Sequence, residues 1–274
     1  MTALADLLPP TRDRARVTCF LCGRGPKDRT FGITRTERGW VGHCFRCGHV
    51  ATERVQRPGS PIATPKVQPL NELLSPRWRA FWDDCQPLAG TVGETYLRAR
   101  GCVMPPADGD LRFHPAAWHW PTRTSRPALV ARLTDAVTGE ARSLHFTFLR
   151  PDGAGKAEID APRLLLPRHR KAGAVCRLWP DESVTHGLCV AEGIETTLSA
   201  AAAFRPAWAA IDAGNMAALP VLAGLESLTI AADHDDAGLR AAHECARRWA
   251  AAGLEVFMVT PPTRGADLND VVAS

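Results

Sequence analysis

From residue 184 onward, short apolar runs alternate with amphipathic stretches. The runs near 188–191, 208–211, 228–232 and 255–260 are too short for core helices and read as buried strands. Helical spacing fills the gaps, most clearly from Asp236 to Ala252, where Gly253 stops it. This rhythm predicts an α/β domain: a Rossmann-like, mostly parallel sheet with ligand sites at the strands' carboxyl ends. Before it the pattern is mixed. Ser75-Pro76 joins an N-cap to a proline at the first helical position, and Trp78, Phe81 and Trp82 supply the apolar face. Thr91-Val92-Gly93-Glu94 reads as the capping box of a second helix, closed by Gly101. Pro127–Ala136 and Ala141–Leu149 alternate around Val137-Thr138-Gly139-Glu140, which predicts a β-hairpin. Residues 15–50 hold short β-like segments with too few apolar residues for an independent core. Arg57-Pro58-Gly59-Ser60-Pro61, with Pro65 and Pro69, reads as an extended linker. The expected division is a small β module over 1–54, a linker over 55–74, a mixed α+β subdomain over 75–183 and the α/β domain over 184–274.

The balance of the 274 residues, 45% hydrophobic and 23% charged, is that of an ordinary globular chain. No run resembles a membrane span, and Met1–Pro10 lacks the layout of a secretion signal, so a cytoplasmic location is expected. In a reducing compartment the nine cysteines favour metal binding or buried thiols over disulfides. Charge is distributed unevenly. Residues 1–60 hold 11 basic and 5 acidic side chains, residues 61–183 hold 17 and 13, and residues 184–274 hold 5 and 11. A basic front and middle with an acidic rear suits a chain that grips a polyanion and does metal chemistry at its end.

Cys19-Phe20-Leu21-Cys22 and Cys44-Phe45-Arg46-Cys47 are paired knuckles around a β-like segment, the spacing of a zinc ribbon with a structural four-thiolate ion. Arg35, Arg38, Trp40 and Arg46 lie in or beside it. They can meet phosphates and stack on a base, or be solvated arginines and a packed tryptophan. In the α/β domain each acid follows an apolar run: Glu192-Gly193 after Leu188–Ala191, Asp233-His234-Asp235 after Leu228–Ala232, and Asp267-Leu268-Asn269-Asp270 beyond Val256–Val259. Carboxylates grouped at strand ends suit Mg²⁺ or Mn²⁺ beside substrate phosphates. The bland reading is that an Asp-x-Asp before a helix caps it. Lys156, Arg163, Arg168, Arg170, Lys171 and Arg177 form a basic stretch upstream. Glu195 and Glu244 read as solvent-facing helix residues, and Trp118 and Trp120 as packing. Cys85, Cys102, Cys176, Cys189 and Cys245 read as buried or incidental thiols. Gly153-Ala154-Gly155-Lys156 is no P-loop, because Arg150 and Ala157 stand where a glycine and a hydroxyl residue are needed.

Cys₄ ribbon, mixed subdomain, then Glu192-Gly193, Asp233-x-Asp235-x-x-Gly238 and Asp267-x-x-Asp270: this order resembles the bacterial-type Toprim DNA primases, nearest the short forms of bacteriophages and mobile elements. The resemblance implies metal-dependent synthesis of short RNA primers on single-stranded DNA from ribonucleoside triphosphates. It implies that Glu192 is the Toprim glutamate, that Asp233 and Asp235 bind Mg²⁺ or Mn²⁺, and that Asp267 is the later acid. Lys156 resembles the lysine near the incoming nucleotide, with Arg163, Arg168, Arg170 and Lys171 along the template and triphosphate path. His234 stands where many relatives carry a small residue. The sequence ends four residues after Asp270, so a replicative helicase would be met in trans. Two rival activities remain: a Toprim nuclease and a non-catalytic single-strand-binding replication factor. A type IA topoisomerase needs a tyrosine nucleophile, and the chain's one tyrosine, Tyr96, lies far from the acid motifs in sequence.

Overall fold

The computed structural model describes residues 4–7, 12–23, 25, 28–37, 39–54, 70–266 and 268–269. Arg38, Asp267, Asp270 and residues 55–69 of the expected linker therefore lie outside the described residues. The chain forms two compact units, Met1–Val67 and Gln68–Ser274.

In the first unit, β1 (Arg14–Val17), β2 (Phe31–Thr36), β3 (Gly39–Cys44) and β4 (Val50–Arg54) form an antiparallel meander in that order. Its core is small: Leu4, Cys19, Phe31, Ile33 and Cys44. Gly42 is needed beside that core, because a Cβ there would sit 2.3 Å from the Phe31 ring.

The second unit opens with α1 (Pro76–Asp83) and α2 (Val92–Ala99). Ser75 caps α1 by backbone alone, whereas Thr91 Oγ1 accepts from the Glu94 amide. Glu94 reaches back to the Gly90 amide at 2.7 Å, one residue earlier than an ordinary capping box. Then come β5 (Leu111–His119), β6 (Thr124–Asp135), β7 (Ala141–Phe148), β8 (Arg163–Leu165) and β9 (Ala174–Val175). They make an antiparallel sheet ordered β5-β6-β7-β8, with β9 beside the end of β6. The expected hairpin is β6–β7. The pattern gave no sign of β5, because Pro115 interrupts it; the sheet absorbs the proline as a register break between His114 and Ala117.

The last segment is the expected α/β domain. Its elements are β10 (Gly187–Ala191), α3 (Ile194–Ala200), β11 (Ala207–Ala209), α4 (Ala213–Ala218), β12 (Ser227–Ala231), α5 (Asp236–Ala251) and β13 (Glu255–Val259). All four strands are parallel, in the order β11-β10-β12-β13. The chain leaves β10 toward one edge and β12 toward the other, so the crevice between their carboxyl ends is the switch point of the sheet. Helices α4 and α5 cover one face through Met216, Ala242, Cys245 and Trp249. On the other face, Ile194 and Leu198 of α3 share a core with Tyr96, Leu97, Phe113, Leu129 and Leu133. That core joins the antiparallel sheet to the parallel one, and a bridge between Cys176 and Ala209 links the two sheets by paired amides at 2.8 and 2.9 Å.

Asn269 fastens the far end of the chain to this body. It is fully buried, and its amide donates to the Arg100 carbonyl at 2.7 Å and to Ser199 Oγ at 2.8 Å. Asn269→Ala leaves both acceptors without their donor, so a loss of about 1–3 kcal/mol is expected, read as a lower urea midpoint with an unchanged m-value.

Candidate functional site

The parallel sheet positions the acids. Ala191 and Ala231 are partners in the β10–β12 register, so the residues just beyond them, Glu192 and then Asp233, leave the sheet side by side. Glu192 is fixed from both sides: the Ile211 amide donates to its carbonyl at 2.8 Å, and the Ala213 amide donates to its carboxylate. Ile211 accomplishes this with φ +71°, a left-handed conformation that is rare for a β-branched residue and marks strain at a site. Asp233 needs Gly238. A Cβ at Gly238 would sit 2.7 Å from the Asp233 carbonyl, which gives the Asp-x-Asp-x-x-Gly spacing a steric cause.

The negative charges at this end act on one another. Burial first, then the charges of Asp233, Asp212 and Asp235, push the Glu192 carboxyl up to about 7. Such a group gives up its proton reluctantly unless a cation joins it. Among the described residues no three carboxylates bring their oxygens within 4.8 Å of one another. A cation held here would therefore take one or two carboxylates and complete its shell from ligand oxygens, as Mg²⁺ does; the donor set fits that ion.

Beside the acids is a pocket of about 220 Å³ whose lining brings Glu192, Asp233 and Glu195 together with Arg100, Lys156 and Arg163. Lys156 Nζ lies 2.8 Å from Glu195 Oε1, and the Tyr96 hydroxyl donates to the same oxygen at 2.7 Å. Glu195 is thus no solvent-facing residue: it is 7% exposed, on a helix whose residues are all buried. Burial would raise its carboxyl, but Lys156 and Tyr96 together hold it down at about 2. Glu244 is exposed as expected.

The other candidates separate. Asp235 is the N-cap of α5, one oxygen accepting from Ala237 and Gly238 at 2.8 and 2.7 Å, so the capping reading holds for that oxygen. His234 faces neither metal nor phosphate through Nδ1, which donates to the Pro261 carbonyl at 2.8 Å. Its backbone also bonds Gly265 and Ala266, so it clips the loop that leads to Asp267. Lys171 reaches the acid end, 2.8 Å from Asp212. Arg168 and Arg170 are exposed and do not line the pocket; Arg170 pairs with Glu72 at 2.8 Å. Arg177 is buried over the Trp208 ring, a structural role. Asp212 was missed in the sequence, although it follows a predicted strand as the other acids do. The tryptophans also divide: Trp120 packs edge-on against Phe146, whereas Trp118 is 51% exposed and not a packing residue. Trp118 lines a larger groove, about 500 Å³, with Trp78, Phe81 and Arg77, which holds none of the strand-end acids.

In the first unit the four knuckle sulfurs lie within 4.8 Å of one another, with Cys19–Cys47 at 3.9 Å and Cys22–Cys44 at 3.5 Å. Four thiolates about 2.3 Å from a zinc ion stand about 3.8 Å apart, so the cluster has the dimensions of a tetrahedral site. Burial opposes ionisation of Cys44, yet the Cys47 and Arg46 amides on its sulfur bring the thiol down to about 6. Trp40 packs against the ribbon core, with the Arg35 guanidinium 6.0 Å from its ring. The exposed aromatics are instead Phe20 and Phe45, one in each knuckle, at 52% and 62%. The other five cysteines are buried free thiols, as expected.

Residues 187–274 match the family profile of the Toprim domain, and residues 74–177 match a family described as a domain of unknown function, DUF7146. The C-terminal segment is thus a Toprim domain. No curated protein matches the chain. Among solved structures, a DNA primase domain from Pseudomonas aeruginosa is similar at 17% identity, over 72% of this chain and 73% of that one, with a TM-score of 0.47. The zinc-binding and RNA polymerase domains of the Aquifex aeolicus primase are similar at 14% identity over 99% and 79%, TM-score 0.47. The primase fragment of the bacteriophage T7 primase-helicase protein is similar at 15% identity over 93% and 92%, TM-score 0.42.

Two expectations follow from the geometry. The protein should hold one zinc per chain by atomic emission, and Cys44→Ser should lose the metal and open residues 12–54 to proteases while the second unit resists. The Glu192 carboxyl is raised in the fold, so its contribution to stability is full below about 4.5, the ordinary value, and is lost as pH rises through about 7. Wild-type melting temperature should therefore fall between pH 5 and 8 more than that of Glu192→Gln, and millimolar Mg²⁺ should remove most of the difference.

Proposed function

We propose that this Toprim-domain chain is a DNA primase, joining ribonucleotides into short primers on a single-stranded DNA template. The observation that carries the reading is that Glu192 and Asp233, from adjacent strand ends, line one pocket with Arg100, Lys156 and Arg163. Phosphoryl transfer asks chiefly for positioning and charge neutralisation, and a site that gathers acids and cations in one pocket supports both. Lys156, Arg100 and Arg163 hold the triphosphate. Arg168, Arg170 and Lys171 extend the basic surface toward the template backbone. Glu192, close to neutrality in its affinity for a proton, accepts the proton of the attacking 3′-hydroxyl. Mg²⁺ or Mn²⁺ held by one or two of Glu192, Asp233 and Asp235 would polarise the α-phosphate and offset charge on the departing pyrophosphate. Asp267 is assigned to the same set on sequence alone.

The zinc of the ribbon is structural on this reading, and Arg38, Trp40 and Arg46 are its candidates for touching the template. A cytoplasmic location and a replicative helicase as a partner go with it. Tyr96 speaks against covalent strand passage: its hydroxyl is buried on Glu195, and burial followed by that carboxylate's charge raises its proton affinity well above the ordinary value.

The test uses a mixed-sequence single-stranded template, labelled ribonucleoside triphosphates and Mg²⁺ or Mn²⁺. Template-dependent oligomers are expected, with Asp233→Asn lowering their rate at least about a hundredfold while template binding stays within twofold. Degraded template in place of oligomers would make the chain a nuclease. Template binding with no product, unchanged in Asp233→Asn, would make it a non-catalytic replication factor.

A further inference from the structure

Lys156 approaches the acid pocket from the connection between β7 and β8, yet it does not stand there alone. Its ammonium meets Glu195, whose carboxylate also accepts from Tyr96, so three separate parts of the chain converge on one buried oxygen. The Glu195 side chain is almost enclosed, while that of Lys156 is about one-third exposed at the rim. An ammonium has three donors; one is taken by Glu195. The contact is too well built to be an incidental surface pair: the acceptor is buried, the distance is short, and a phenol holds the carboxylate from behind. Cys102 adds a thiol contact to the Glu195 carbonyl at 3.7 Å, fixing the same helical turn.

We infer that Glu195 is a positioning counter-charge: it holds Lys156 at the mouth of the acid pocket and competes with the polyphosphate for it. The inference rests on the reading of that pocket as a triphosphate site. Two consequences pull in opposite directions. Holding the ammonium fixes its long, flexible stem for the step in which charge develops on phosphate. The same carboxylate places a negative charge beside an incoming polyanion, which weakens ground-state binding. Glu195 therefore exchanges affinity for placement. Because Glu195 lies in the first turn of the helix that follows Glu192-Gly193, the lysine is held three residues from the candidate general base.

Glu195→Gln removes the charge and keeps the side-chain shape. Inorganic tripolyphosphate, followed by calorimetry, should bind this variant at least about fivefold more tightly than wild type. Lys156, freed from the carboxylate, should form its Schiff base with pyridoxal phosphate at least about fivefold faster. In that reaction the amine and aldehyde condense with loss of water; borohydride then fixes the adduct for mass spectrometry. In primer synthesis KM and kcat should fall together, which a merely structural residue would not produce. Should Glu195→Gln fail to fold, Tyr96→Phe takes its place: it keeps both charges and removes a competing donor from Glu195 Oε1, so Lys156 should label more slowly than in wild type. Unchanged or weaker tripolyphosphate binding, or unchanged labelling of Lys156, would overturn the inference. If tripolyphosphate binding and labelling change as stated but wild type makes no primers, the primase reading falls and the Glu195 contact stands. Primers made by a chain in which neither measurement moves would leave the primase reading and sink this one.

Discussion

Crowded negative charge at one point of the sheet is the constraint around which the second unit is organised. Parallel strands end with their carboxyl termini aligned, so acids placed just past adjacent strands cannot avoid one another. Here Glu192 and Asp233 follow β10 and β12, the two central strands, at the point where the chain leaves in opposite directions. The fold accepts the crowding and fixes it. Ile211 takes a strained backbone angle to bond Glu192, and Gly238 gives up a side chain so that α5 can begin against Asp233. A merely structural sheet end would have no reason to hold acids this firmly where they repel.

The antiparallel sheet supplies the opposite charge. Its core is continuous with α3, and the Cys176–Ala209 bridge joins its edge to β11, so the basic residues it carries are set against the acids by packing. Lys156 reaches Glu195, Lys171 reaches Asp212, and Arg163 shares the pocket with Glu192 and Asp233. The two folds are therefore functionally one body: the parallel sheet alone would present acids without a partner, and the antiparallel sheet cations without a target.

Much of this was legible because it obeys local rules. Short apolar runs bounded by glycine, proline and acids mark all four parallel strands, and the strand-end position of Glu192 and Asp233 follows from that alone. The knuckle spacing marks the sulfur cluster for a similar reason: two residues between cysteines fix the reach of a pair. What escaped depends on tertiary context. Glu195 looks like the polar position of an amphipathic turn, but α3 lies between two sheets and is buried on every side. Strand β5 is hidden by Pro115, which a local reading treats as a breaker and the sheet treats as a bulge. Asp212 carries the same strand-end signal as its neighbours, yet it belongs to neither the Glu-Gly nor the Asp-x-Asp pattern, and only the neighbouring Glu192 carboxyl shows what it adds. Trp118 was misjudged because flanking prolines suggest packing, while the register break turns it outward.

The polarity of charge along the chain takes on a different meaning in this light. A basic front and middle followed by an acidic rear suggests, in sequence, a surface that grips a polyanion. In the fold part of that charge is already spent: Lys156 and Lys171 each meet a carboxylate of the acidic segment, and Arg177 is buried over Trp208. Net charge therefore overstates the cation free to meet nucleic acid, and the arrangement of the pairs matters more than their sum. A basic side chain lent to a buried carboxylate is in place before a phosphate arrives, which is the pre-organisation that phosphoryl transfer exploits. Charge that is unevenly spread in sequence becomes, once folded, charge held at a set distance from where the reaction would occur.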